Sequence, residues 1–148
     1  MSDKSFRLRL VTPTESLLDE PAEYAMVPAW DGLMGIMHNR APIVARLGLG
    51  QMTVRFPQST HGGGDRSYVI DGGFVHVAGN EVIVLAEYAV PAEKIAESDA
   101  QGEFSEAEKA QPDPEAPDRL KASDRLRHRR ERARLKVRVA RHSKSRGI

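Results

Sequence analysis

Short apolar runs at Ser67 to Ile70, Phe74 to Val77 and Val82 to Ala86 are separated by Asp71-Gly72-Gly73 and Ala78-Gly79-Asn80. Glycine and asparagine supply the positive φ of tight turns, so this punctuation predicts several short strands joined by turns. Evenly spaced short strands belong to a sandwich or a barrel. The earlier chain follows the same rule. Phe6-Arg7-Leu8-Arg9-Leu10 alternates strictly, putting Phe6, Leu8 and Leu10 on one face of a strand and two arginines in water, and Pro13 ends it. Leu17-Leu18 and Tyr24 to Val27 read as short strands around Pro21, and Leu49 to Phe56 as another with Met52, Val54 and Phe56 on one side. Val82 to Ala86 is apolar throughout and reads as a central strand buried on both faces. Pro57 to Asp65, with Gly62-Gly63-Gly64, reads as a plain loop. A glycine run can cradle phosphate, but neither a lysine nor a helix N-terminus follows this one.

From Pro91 onward helix formers take over. Pro91 suits a first helical turn, with Ala92 to Ala100 following as helix, Gly102 interrupting, and Ser105-Glu106-Ala107-Glu108 restarting it as a capping box. Pro112, Pro114 and Pro117 make residues 111–117 a stiff turn, after which Asp118 caps a basic final helix over 118–142. There Leu126, Ala133, Val137 and Ala140 form one narrow apolar stripe. The predicted organisation is a mainly β domain over 1–90 and a helical hairpin or tail over 91–148.

Charge separates along this division. Residues 1–91 hold 7 Lys/Arg against 10 Asp/Glu, 92–117 hold 2 against 8, and 118–148 hold 13 against 3. The last helix therefore repels itself at pairs such as Arg125/Arg129 and Arg134/Arg138, each costing ~0.2–0.5 kcal/mol, and an acidic partner would stabilise it. The absence of cysteine excludes disulfides and thiolate metal sites. No apolar run reaches membrane-span length, and Met1-Ser2-Asp3-Lys4 leads into a strand rather than a signal sequence, so a cytosolic protein is expected.

The stretch Met26 to Leu47 contains the turn pair Asp31-Gly32, a second glycine at Gly35, the polar knuckle His38-Asn39-Arg40 and Ala41-Pro42. It reads as an antiparallel connection with a long exposed tip. Its run VPAWDGLMGIMHNRAP resembles the "VPGxDGxxGIxPxHAP" pattern of the epsilon subunit of F-type ATP synthases (delta in mitochondria). Gly72-Gly73-Phe74, Val77, Asn80, Val82 and Val84-Leu85-Ala86 match its "GGFxxVxxNxVxVLA" run at the right separation. The resemblance covers roughly the first ninety residues and implies a flattened β-sandwich of about ten strands. The core would be mainly Val, Leu, Ile and Met, sufficient without metal or disulfide.

The resemblance also implies partners. The tip, Met37, His38, Asn39, Arg40, Ala41 and Pro42, would touch the ring of membrane proton-carrying subunits. His38 stands where the family pattern has proline, and Arg40 where it has histidine, adding a permanent charge suited to a carboxylate. Gly72, Gly73, Phe74 and Asn80 would serve the fold or the contact with the gamma subunit of the stalk. Arg127, Arg130, Arg134 and Arg138 would meet the acidic surface of the catalytic alpha/beta head. Some family members bind ATP through an Ile/Leu-Asp-x-x-Arg-Ala motif; here Ala96 and Asp99 replace its aspartate and arginine, so no nucleotide site of that type is expected. No metal, cofactor or direct membrane insertion is expected. His38 has no second ligand at usable spacing.

Asp19-Glu20, His61, His76, His128 and His142 fall into no nucleophile–base or metal arrangement, so an intrinsic active site is not expected. The resulting expectation is a non-catalytic stalk subunit of a rotary synthase, peripheral on the cytoplasmic face of the bacterial plasma membrane. It would couple ring rotation to ATP synthesis, and its helices would regulate hydrolysis. The alternative is a β-sandwich adaptor whose basic tail binds nucleic acid. Against that reading, the basic helix contains no aromatic residue, and nucleic acid is not an expected partner.

Overall fold

A computed structural model describes residues 4–60 and 62–145; His61 and Met1 to Asp3 lie outside the described residues. The chain divides into two compact units, residues 1–91 and 92–148. Among the described residues the first contains seven strands: β1 (Phe6–Val11), β2 (Ser16–Ala22), β3 (Tyr24–Ala29), β4 (Gly32–Met37), β5 (Ile43–Phe56), β6 (Gly64–Ala78) and β7 (Glu81–Pro91). They form one sheet in the order β2-β1-β7-β6-β5-β3-β4. All pairings are antiparallel except β1 with β7.

This sheet folds over itself into two layers. β1 pairs only with the first half of β7, at 81–85, whereas β3 pairs with β5 chiefly at 53–55. The long strands β5, β6 and β7 therefore run through both layers. Their alternation changes phase in step: Val75 and Val77 of β6 face the core after Gly72-Gly73, Tyr68 and Ile70 before it. β5 switches between Leu47 and Met52, and β7 between Ala86 and Ala89. One apolar cluster drawn from all seven strands fills the space between the layers. Apart from Phe6, Phe56 and Tyr68 it is aliphatic.

The sandwich class is as expected, while the strand count is seven rather than about ten. Counting the three long strands once in each layer recovers ten. Asp71-Gly72-Gly73, read from the sequence as a turn between two strands, lies within one. It has the composition of a hairpin turn, yet it is a bend inside β6, with Gly72 at φ 78° and Gly73 at φ 117°. Ile43 to Leu47 and Leu49 to Phe56 are likewise one strand, passing through Gly48 and Gly50. The stretch Gly32 to Met37, read as part of a long tip, is a strand because Met34 and Ile36 turn inward while Leu33, Gly35 and Met37 turn outward. Val82 to Ala86 is central in the sheet but covered on one face only, since Leu85 is 50% exposed. Pro21 sits in β2, an edge strand, where its missing N–H costs no ladder bond.

The second unit begins with a 3-10 turn at Ala92–Lys94 and holds two helices, α1 (Glu97–Lys109) and α2 (Arg119–Ser145), packed as a hairpin. Gly102 does not interrupt α1, and Ser105-Glu106 lies within it rather than restarting it. A single glycine costs a helix only about 1 kcal/mol, and packing of the buried Ala100 and Ala107 offsets that. Asp118 caps α2 as expected: its Oδ1 accepts the Lys121 N–H at 3.1 Å. Leu126, Ala133, Val137 and Ala140 are buried, and so are Leu135 and Val139, which the single-stripe reading left out.

Candidate functional surfaces

The knuckle between β4 and β5 is short and held from one side. Asn39 adopts φ 60°, a left-handed conformation that asparagine tolerates. Its N–H donates to Asn80 Oδ1 at 3.5 Å, and Asn80 Nδ2 donates to the Ser5 carbonyl at 2.9 Å. The Arg7 N–H donates to the Asn80 carbonyl at 3.1 Å. Asn80, itself at φ 61°, thus ties the β6–β7 turn to the start of β1 and to the knuckle. Met37, Asn39, Arg40, Ala41 and Pro42 are exposed and His38 is partly so. The expected tip residues therefore form one outward surface.

Gly72 and Gly73 act in the fold. A Cβ on Gly73 would lie 2.0 Å from the Leu85 carbonyl oxygen and 2.9 Å from Ala86 Cα. Phe74, next in sequence, points away from the core and is 52% exposed. It pairs with Leu85 across β6–β7 and with Arg46 across β5–β6. Val44, 65% exposed, lies one alternation along β5, paired with His76. Val44, Phe74 and Leu85 thus make an exposed apolar strip over three adjacent strands, flanked by Arg46, His76 and Glu87. Sequence reasoning picked out Phe74 but missed Val44 and Leu85. Both lie in runs that are apolar at every position, so alternation gave no signal for them. Trp30 and Leu33, exposed around the β3–β4 turn, were missed as well. An isolated exposed apolar residue is ordinary, but a contiguous strip marks an interaction surface.

On β1, next to β7 in the sheet, Arg7 meets Asp19 through two 2.9 Å hydrogen bonds, Nε to Oδ1 and Nη2 to Oδ2. These bonds hold the Asp19 carboxyl below the usual aspartate range and raise the Arg7 guanidinium further. Both groups are exposed. Asp19 is thereby a structural anion rather than an acid–base group. His76 is exposed on the outer face of β6 and His142 on α2. No group of three His, Asp or Glu side chains that could hold a metal occurs among the described residues.

The helical hairpin pairs opposite charges across its length. Lys136 Nζ reaches both carboxylate oxygens of Glu103 at 2.9–3.0 Å, Arg141 Nε donates to Glu97 Oε1 at 2.9 Å, and Arg129 lies 3.9 Å from Glu106. The four expected contact arginines separate into different roles. Arg130 turns inward: its Nε donates to the Ala107 carbonyl at 2.7 Å and its Nη2 to that of Ala110 at 2.8 Å. Arg134 stacks over the Phe104 ring at 5.7 Å. Arg127 bonds Asp124 one turn back, and Arg138 is exposed. Ala96 precedes α1 without a side-chain cap, and Asp99 lies in its first turn, where a carboxylate suits the helix dipole.

The family profile described as "ATP synthase, Delta/Epsilon chain, beta-sandwich domain" matches residues 5–92. The chain is similar to the ATP synthase epsilon chain of Symbiobacterium thermophilum, 42% identical over 96 residues and 64% of each chain. It is similar also to that of Pelotomaculum thermopropionicum, 36% identical over 95 residues, 64% of this chain and 67% of the relative. It therefore matches about two thirds of the length of these relatives. A solved chain in the Euglena gracilis mitochondrial ATP synthase, an OSCP/F1/c-ring assembly, superposes with TM-score 0.68 at 26% identity, covering 88% of this chain and 81% of that one. No described helix is long and apolar enough to cross a membrane. With its profile matched over residues 5–92 and its sandwich-plus-hairpin architecture, the chain belongs to the ATP synthase delta/epsilon family.

Proposed function

We propose that this protein is a non-catalytic subunit of the central stalk of a rotary F-type ATP synthase. It joins the gamma subunit to the membrane ring so that ring rotation reaches the catalytic head. The observation that carries this reading is the exposed strip of Val44, Phe74 and Leu85 on a sandwich of this family. A coupler needs a stiff body and an extended contact surface rather than an acid–base site. The strip is the gamma-binding surface, with Gly72, Gly73 and Asn80 supporting it from within the fold. The knuckle Met37 to Pro42 faces the polar loops of the ring, Arg40 supplying a cation for a carboxylate there. The complex sits peripherally on the cytoplasmic face of the bacterial plasma membrane.

The helical unit, residues 92–148 in this reading, is regulatory. Closed, Arg129, Arg130, Arg134, Lys136 and Arg141 engage α1; extended, Arg127, Arg134 and Arg138 reach the acidic surface of the head and hinder rotation in the hydrolysis direction. Pairing of the basic helix with Glu97, Glu103 and Glu106 favours a carboxylate-bearing protein surface over nucleic acid as its external partner. Co-expression of the full chain with a gamma subunit, followed by size exclusion, tests the central claim. Co-elution is expected, and a folded protein that elutes alone would overturn it.

A further inference from the structure

Almost everything that supports α1 comes from α2. α1 has 13 residues, near the length at which an isolated helix is marginal in water, and Gly102 lies in its middle. Its N-cap position is Ala96, which supplies no side-chain hydrogen bond, and its C-cap, Ala110, is extended at φ −68°, ψ 144°. The left-handed glycine that usually closes a helix is missing. Three of its carboxylates, Glu97, Glu103 and Glu106, meet cations of α2.

The orphan carbonyls at its C-terminus find their donor 20 or more residues away. Arg130 bonds the carbonyls of Ala107 and Ala110 and approaches that of Glu108 at 3.4 Å. One guanidinium thus supplies the donors that local capping omits, and its charge sits at the negative end of the helix dipole. Lysine carries its three N–H donors on one nitrogen and lacks the fork that lets Nε and Nη2 bond separate carbonyls.

We infer that α1 is a conditional helix, folded only while Arg130 of α2 caps it. When the hairpin opens, α1 becomes extended chain rather than swinging out as a rigid rod. Thirteen residues then span up to about 45 Å in place of roughly 20 Å. The meaning of that reach for a regulatory tail rests on the function proposed above; the conditional helix itself does not.

Hydrogen exchange on the full chain tests this directly. In Arg130→Met, which keeps the aliphatic stem, amide protection over 101–110 should fall about tenfold or more. Strands β6 and β7 should keep theirs, and Arg130→Lys should fall in between. Adding Gly102→Ala, where a methyl meets nothing within 4 Å, should restore much of the protection by raising helix propensity. Unchanged protection in Arg130→Met would overturn the inference. So would failure of Gly102→Ala to restore it, since the loss would then come from misplaced packing rather than from helix melting. Neither result bears on gamma binding, which is read separately.

Discussion

Gly73 passes Leu85 with no room for a methyl group: a Cβ there would stand 2.0 Å from the Leu85 carbonyl oxygen, and the backbone φ of 117° is one that L residues rarely adopt. Clash and strain act together, and the obstacle is backbone rather than a movable side chain. Gly73→Ala should therefore destabilise the sandwich by about 3 kcal/mol or more, measured as a lowered midpoint in chemical denaturation. A loss below about 1 kcal/mol would mean that the bend can open.

Asn80 combines a left-handed backbone with two side-chain bonds, and two variants separate these contributions. Asn80→Gly removes the bonds but relieves the strain, whereas Asn80→Ala removes the bonds and retains it. The alanine variant should be the less stable by about 1 kcal/mol. Equal stability of the two in thermal denaturation would show that φ 61° carries no cost here.

The Arg7–Asp19 pair sets an acid dependence. The folded pKa of Asp19 lies below its ordinary value of 3.8, so the folded state favours the carboxylate. Its contribution is fully present above that value and is lost as pH falls through the lower folded one. Asp19→Asn should thus be slightly less stable than the parent at pH 7, with the gap closing in the acid range. A gap that stays constant down to pH 2 would place the effect in packing rather than in charge.

Phe74→Glu tests the proposed gamma surface without touching the core. Because Phe74 is half exposed, folding stability should change by no more than about 0.5 kcal/mol. Co-elution with a gamma subunit should nevertheless be lost, since a carboxylate would be buried in the middle of the apolar strip. Retained co-elution would move the contact elsewhere on the sandwich.

Periodicity gave the inward residues of β1 and the second half of β5 correctly, because period-two alternation leaves little choice of face. It failed where the alternation slips phase. Asp71-Gly72-Gly73 has the composition of a turn, and only the cross-strand neighbour Leu85 reveals that its glycines serve close approach within a continuous strand. Gly102 misled in the opposite sense, for its low propensity is overridden by contacts with α2 that are distant in sequence. The knuckle residues were legible through a motif. The apolar strip was not, since Leu85 lies in a run that is apolar on both faces. The inward turn of Arg130 gave no local signal: a guanidinium capping another helix looks the same in sequence as one in solvent.

Three strands that belong to both layers also change how the sandwich carries load. In a sandwich of separate sheets, the layers are held by apolar contact alone and resist sliding weakly, because such contact has no preferred direction. Here any sideways force on one layer is borne by the covalent chain of β5, β6 and β7 as it crosses into the other. The two layers cannot shear past one another without stretching backbone, and the weakest element against torsion becomes the glycine bend itself.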